Sequence, residues 1–250
     1  MTTAILAGII TFLFTALLTI AGVGAAFILI PVFIALHIDI HVAMAVALLL
    51  NSIAMSFASY RYIKARLVLW KVGLPILIVA TALSPVGAYV SQGLNAQILK
   101  WLFVGFLIFA GAMMLFYEPK ERGIESSKSK QLVYGISIGA IAGFLGGLLG
   151  VGGGNIIIPV LVWMGINPKK ASATTAFIVI FSSFSGFLGH ATLGSLDMKL
   201  LGFTAVASAL GAVLGAWLMT EKLKRRQVKL IIGTVLIFIA AEMIWKLLVR

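Results

Sequence analysis

Gly150-Val151-Gly152-Gly153-Gly154-Asn155 sits in the middle of an apolar run from about Leu132 to Trp163. Each glycine in a helix interior costs roughly 1 kcal/mol relative to alanine, so a segment that only had to cross an apolar layer would not cluster them. The stretch reads as a deliberate break in a helix, and Pro159 just beyond it reinforces that reading. Upstream, Gly139, Gly143, Gly146, Gly147 and Gly150 form overlapping small-xxx-small spacings. Spacings of that kind let two helices approach closely, and packing accounts for them up to Gly147.

The chain around this break is 62% hydrophobic and only 10% charged, with a mean hydropathy of +1.15. So little charge cannot cover a soluble globule, and apolar stretches of about 20 residues recur from end to end. The expected fold is an all-α polytopic membrane protein; the alternation of a membrane β-barrel is absent. Eight hydrophobic segments can be drawn, at about 3–36, 42–60, 69–90, 97–117, 132–165, 171–190, 200–219 and 230–248. The start, Met1-Thr2-Thr3-Ala4, has no basic region before its apolar run and reads as the first retained segment. A net charge of +12 would suggest nucleic acid in a soluble protein. Here the basic residues fall in the short connections between segments, where they set orientation, and no nucleic-acid partner is expected. With no cysteine, disulfides, thiolate metal sites and cysteine nucleophiles are excluded.

The first and fifth segments are too long for single spans. Each is interrupted by glycine, at Gly22-Val23-Gly24 and at Gly150–Gly154, and each then carries a proline, Pro31 and Pro159. A shift of 128 residues superposes these features and lays Ala43 and Ala45 on Ala171 and Ala173, with 10 identities in the 24 positions from Gly22 to Ala45. The chain is therefore expected to be two homologous four-segment repeats, 1–117 and 132–250, joined by a cytoplasmic linker at 118–131. Basic residues test how the halves are oriented. Eight plain spans with the amino terminus inside place 11 Lys and Arg inside and 8 outside. A fifth segment that enters and returns to the same side gives 15 inside and 4 outside. That distribution is the charge signature of inverted repeats, with the first and fifth segments broken or re-entrant.

Inverted repeats with interrupted helices point to a secondary transporter whose substrate binds where the helix ends meet. At a break, N–H groups lack intrahelical partners, and at membrane depth protein, water or ligand must satisfy them. Where those groups open a new helix, as at Gly152 to Asn155, the positive end of the helix dipole favours an anion, and glycine lets an oxyanion approach the backbone. The expected binding residues are Gly22, Val23, Gly24, Ala25, Ala26 and Asn51 from the first half. The second half contributes Gly150, Val151, Gly152, Gly153, Gly154, Asn155, Thr174 and Thr175. Ser52, Ser56, Ser182, Ser183 and Ser185 are further hydroxyls on the helices that follow the breaks; small hydroxyls also simply back-bond and pack. His190 is a candidate proton relay, although a histidine in that position also marks a helix end. His37, Asp39 and His41 have ligand-type spacing but align with a plain turn in the other repeat, so no metal is expected. No cofactor is implied, and no paired carboxylates, serine triad or histidine cluster suggests an enzyme.

Gly150-Val151-Gly152-Gly153-Gly154, Pro159, Ala171-x-Ala173-Thr174-Thr175 and Gly194-Ser195-Leu196-Asp197 resemble the second repeat of the TauE/SafE sulfite exporter family, also called TSUP or DUF81. Gly22-Val23-Gly24, Pro31 and Ala43-x-Ala45 resemble its first repeat more weakly, and Ala25-Ala26-Phe27 stands where the family commonly has more glycine. The resemblance implies a permease of the bacterial or archaeal cytoplasmic membrane. It would move small sulfur-containing anions such as sulfite, a sulfonate or a related organosulfur acid by alternating access. An anion channel, or a permease for a non-sulfur carboxylate, is the alternative. The sequence leaves the particular anion, the direction, the coupling ion and the oligomeric state open.

Overall fold

The computed structural model describes residues 2–26, 29–30, 33, 40–91, 96–116, 128–190 and 198–248. Among these residues the regular structure is all helix. The helices are α1 (Thr2–Ala21), α2 (Ile40–Lys64), α3 (Trp70–Val90), α4 (Ala96–Phe116), α5 (Lys128–Leu148), α6 (Gly154–Trp163), α7 (Pro168–His190), α8 (Met198–Trp217) and α9 (Arg225–Leu248). A π-helical turn, Leu218–Lys222, extends α8. Five helical stretches are long and apolar enough to cross a membrane, Val42–Lys64, Trp70–Val90, Pro168–His190, Leu201–Lys222 and Arg225–Trp245. Shorter apolar helices cover Gly8–Ala21, Leu107–Phe116, Leu132–Leu148 and Gly154–Trp163. The fifth hydrophobic segment is thus two helices, and the first breaks after Ala21, with helical residues again at Ala26, Leu29, Ile30 and Phe33. Helix α5 starts at Lys128, inside the stretch 118–131 expected to be linker; residues 117–127 lie outside the described residues. So do the turn 194–197, His37 and Asp39, and the side chain of His41.

The 128-residue period reappears in the element boundaries: α2 and α7 start at Ile40 and Pro168, and α3 and α8 at Trp70 and Met198. It reappears in the breaks as well. Helix α1 ends with Val23 N–H donating to the Leu18 carbonyl (3.2 Å) and Gly22 N–H to Thr19 (2.9 Å); α5 ends with Val151 N–H donating to Gly146 (2.8 Å) and Gly150 N–H to Gly147 (3.2 Å). Both are Schellman caps, whose penultimate position is left-handed, and Gly22 (φ 75°) and Gly150 (φ 68°) occupy it.

The helices pair in a pattern that crosses the halves. Gly135, Gly139, Gly143 and Gly147 of α5 lie in step against Pro75, Ile76, Ala80 and Ser84 of α3, so the two helices run parallel. Gly8 of α1 faces Ala207, and Gly211 and Gly215 face Phe12 and Ala16, so α1 and α8 are parallel as well. Between these pairs, α2 and α7 cross in opposite directions. Ser52 Oγ donates to the Ile180 carbonyl (2.9 Å), Asn51 Nδ2 to Ser183 Oγ (2.9 Å), and Leu48 lies against Gly186. Helices α4 and α9 are also antiparallel, with Gly111 beside Ile237 and Leu115 beside Gly233. Helix α3 runs with α7, since Thr174 meets Leu69 and Gly73 while Ser185 meets Thr81. Helix α6 runs against α7, because Gly154 touches Val179 in mid-helix whereas Trp163 leads straight back to Pro168. Since α5 has the direction of α3 and α7, α6 doubles back on α5.

One consequence is electrostatic. The end of α2, the starts of α3, α5, α7 and α9 and the end of α8 share one face. That face gathers Arg61, Lys64, Arg66, Lys71, Lys128, Lys130, Lys169, Lys170, Lys222, Lys224, Arg225, Arg226 and Lys229. Lys100, Lys199 and Lys246 belong to helix ends on the other face. Lys169 Nζ donates to the Thr220 (3.0 Å) and Leu223 (3.2 Å) carbonyls, and Arg61 pairs with Glu221 beside them. Because the chain lacks cysteine, single-cysteine variants at 169 and 224 can be labelled cleanly in sealed membranes. Both should react from the same side, and opposite sides would break the path traced here.

Candidate functional site

The two breaks meet at the crossing of α2 and α7. A Cβ added to Gly154 would lie 2.9 Å from the Val23 carbonyl oxygen and 3.3 Å from Val179, so the breaks are in backbone contact with each other. Asn51, on α2, is buried between them. Its amide lies so close to Gly24 that no Cβ fits there, and it would stand 3.2 Å from a Cβ on Gly152. Gly24 (φ 81°) and Gly152 (φ 73°) are left-handed too, so each needs glycine for its backbone and for the space a side chain takes, the Asn51 amide at Gly24 and the Ser183 hydroxyl at Gly152.

The polar groups divide into spent and unspent. Asn51 Nδ2 donates to Ser183 Oγ, while Asn51 Oδ1 makes no hydrogen bond. Ser182 Oγ donates to the Gly152 carbonyl (3.0 Å), and Ser172 Oγ to the Ala21 carbonyl (2.9 Å) at the other break. Asn155, in the first turn of α6, is fully buried, and neither atom of its amide has a partner. Thr175 is fully buried and its hydroxyl is likewise unpartnered. Helix α6 is capped by Gly153 with no side-chain cap, and the Ile156 and Ile157 N–H groups turn back to the Gly153 carbonyl (3.1 and 3.2 Å). The Gly154 and Asn155 N–H groups precede that ladder and find no backbone acceptor among the described residues. A buried polar group costs about 1–3 kcal/mol when unsatisfied, and the Asn51 Oδ1, the Asn155 amide and the Thr175 hydroxyl are such groups at this crossing.

The sequence-predicted residues do not all gather here. Gly22, Val23, Gly24, Ala25, Ala26, Asn51 and Gly150 to Asn155 are buried at or beside the paired breaks. Thr174 is elsewhere: its Oγ1 accepts the Leu69 N–H (2.9 Å) and caps the start of α3. Thr175, about 100° further round α7, lies on the stripe Ser172, Thr175, Val179, Ser183, which faces the breaks. Ser56 back-bonds to the Ser52 carbonyl (2.8 Å) and Ser185 bonds the Thr81 carbonyl (2.8 Å), so both serve helix packing. His190 Nε2 lies 2.9 Å from the Gly147 carbonyl, at the end of α5. Ser172 escaped the sequence reading because its repeat mate is Met44; the i, i+3, i+7, i+11 stripe on α7 would have revealed it.

The two halves furnish the site unequally. Mates 128 residues apart pair polar with apolar: Asn51 with Val179, Asn155 with Phe27, Ser183 with Met55 and Ser182 with Ala54. Gly153 is left-handed (φ 78°), whereas its mate Ala25 is not. The scaffold is repeated, and its polar groups come mostly from the second half.

A family model described as Sulfite exporter TauE/SafE matches residues 6–243. Probable membrane transporter protein YunE of Bacillus subtilis is 30% identical over 210 residues, 74% of each chain. Probable membrane transporter protein MJ0441 of Methanocaldococcus jannaschii is 28% identical over 193 residues, 74% of this chain and 71% of its own. Sulfite exporter TauE/SafE family protein 1 of Arabidopsis thaliana is 37% identical over 75 residues, 30% of this chain and 16% of its own. No solved structure matches. The match across nearly the whole chain, on a helical framework with spans of membrane length, places this protein in the Sulfite exporter TauE/SafE family of membrane transporters.

Proposed function

We propose that the protein is a secondary transporter of small sulfur-containing oxyanions, built from two inverted repeats and working by alternating access. The observation that carries this reading is the contact between the two glycine breaks around Asn51, with the unpartnered Asn51 Oδ1, the unpartnered Asn155 amide and first-turn N–H groups of α6 that have no backbone acceptor among the described residues at the same crossing. Donors at a buried helix start, with no charged side chain beside them among the described residues, suit an anion. Inversion is supported by the antiparallel crossing of α2 and α7, whose contact pairs the repeat mates Ser52 and Ile180. Such a self-pairing is what a twofold axis in the membrane plane produces. Basic residues crowded on one face support a cytoplasmic assignment of that face, with the start of α5 and the linker on the same side. The sulfur class is supported by the family and by the names of its relatives.

Purified protein in liposomes preloaded with unlabelled sulfite or a sulfonate should take up the labelled anion by counterflow, saturably. Flux that follows the gradient without saturation or counterflow would make the protein an anion channel instead. Exchange of lactate with no exchange of any sulfur anion would move the substrate to the carboxylates.

A further inference from the structure

We infer that the site selects for a single negative charge: a sulfonate or hydrogen sulfite fits, and a dianion such as sulfate or fully deprotonated sulfite does not. The inference rests on the anion-transport reading above and narrows its substrate class.

Among the described residues, the groups that meet at the crossing are amides, hydroxyls and backbone N–H, all neutral. Helix α1 carries no ionisable side chain among its described residues, and neither does α6. The charges on the surrounding helices sit in their end turns: Arg61 and Lys64 on α2, Lys71 on α3, Lys100 on α4, Lys128 and Lys130 on α5, Lys169 and Lys170 on α7, Lys199 on α8 with Glu221 and Lys222 in its π turn, and Arg225, Arg226, Lys229, Glu242 and Lys246 on α9; the buried Tyr62 of α2 donates its hydroxyl to the Thr19 carbonyl. The titratable group of α7 nearest in sequence to Ser183 is His190, and its Nε2 is placed on the Gly147 carbonyl at the end of α5. What compensates an anion here is the start of α6, equivalent to roughly half a unit of positive charge, together with hydrogen bonds. One delocalised charge is matched by that supply, whereas a second would be buried without a counter-charge, which proteins avoid. Asn51 adds a term of the same sign. It is fully buried, and its unpartnered Oδ1 points at Gly24; an amide oxygen is an acceptor only, and it repels further negative charge.

The test uses the intact protein in liposomes and three anions differing in charge. Methanesulfonate is a monoanion at every working pH, sulfate is a dianion at every working pH, and hydrogen sulfite loses its proton near neutrality. After subtraction of flux into protein-free liposomes, methanesulfonate exchange should stay level as pH rises through that transition. Sulfite exchange should fall in step with the hydrogen sulfite fraction, and sulfate exchange should be weaker than methanesulfonate exchange by about 100-fold or more. Sulfate exchanging as well as methanesulfonate would overturn the inference and leave the transport reading standing. So would sulfite exchange that rises with pH. A parallel fall of methanesulfonate and sulfite would assign the pH dependence to a protein group such as His190, and would overturn it also. Failure of every sulfur anion to exchange would remove the transport reading and this inference with it.

Discussion

Asn155→Leu should give a protein that is more stable than the parent and no longer responds to anions. Asn155 is fully buried with both amide atoms unpartnered, and leucine has the same branched side-chain skeleton with larger end groups. Removing an unsatisfied amide from such a place returns about 1–3 kcal/mol. In a chain of 250 residues each kcal/mol is worth about 2–4 °C in Tm, so the anion-free variant should melt several degrees higher. The parent should gain a comparable stabilisation from a bound anion, about 2.7 kcal/mol at a hundredfold excess over Kd, and the variant should gain none. Thermal unfolding in detergent with and without methanesulfonate reads both numbers. A variant that melts lower and still shifts with the anion would mean that Asn155 serves the fold, and the site would have to be redrawn. The opposite signs are the strength of the test, because a merely damaged protein loses both.

Gly143→Leu should cost about 3 kcal/mol or more and leave little folded protein. A Cβ at Gly143 would lie 2.5 Å from both the Cα and the carbonyl oxygen of Ala80, so backbone would have to move and α3 and α5 would separate along their whole seam. Gly105→Leu and Gly202→Leu are the matched controls, since nothing lies within 4 Å of a Cβ at either position, and both should melt like the parent. Equal melting of Gly143→Leu and Gly105→Leu would show that the α3–α5 seam is not close-packed. Gly153 belongs with Gly143 in this respect. Its Cβ would stand 2.5 Å from the Ala142 carbonyl, so a bulky residue there acts through the fold as well as through the site.

What could be read from the sequence was whatever carries an intrinsic penalty. Glycines at Gly22, Gly24, Gly150 and Gly152 are unfavourable in a helix interior, and all four are left-handed in the structure. Basic residues gather on one side of a membrane, and the count of 15 Lys and Arg inside to 4 outside favoured a fifth segment that doubles back over eight plain spans, which gave 11 to 8. The residues that were not legible are those whose role depends on a neighbour from another segment. Thr174 and Thr175 look alike in sequence, and only the position of Leu69 decides that the first caps α3 while the second faces the breaks. Asn51 and Ser183 were both visible as polar residues in apolar helices. Their hydrogen bond joins positions 132 residues apart and follows from how α2 and α7 cross. The pairing of α1 with α8 and of α3 with α5 had no signature beyond small residues, because in lipid helices associate through shape rather than through a hydrophobic stripe.

That cross-pairing bears on how the protein is made. Helix α1 is finished at Ala21, yet the helix it packs against starts at Met198, after the whole first half and most of the second have been synthesised. Helix α3 waits for α5 in the same way, so neither half can close its own packing. The small-residue faces of α1 and α3 stay uncovered until the later helices are made. The duplicated chain is therefore one folding unit, and its last long helices complete a structure that its first helix began.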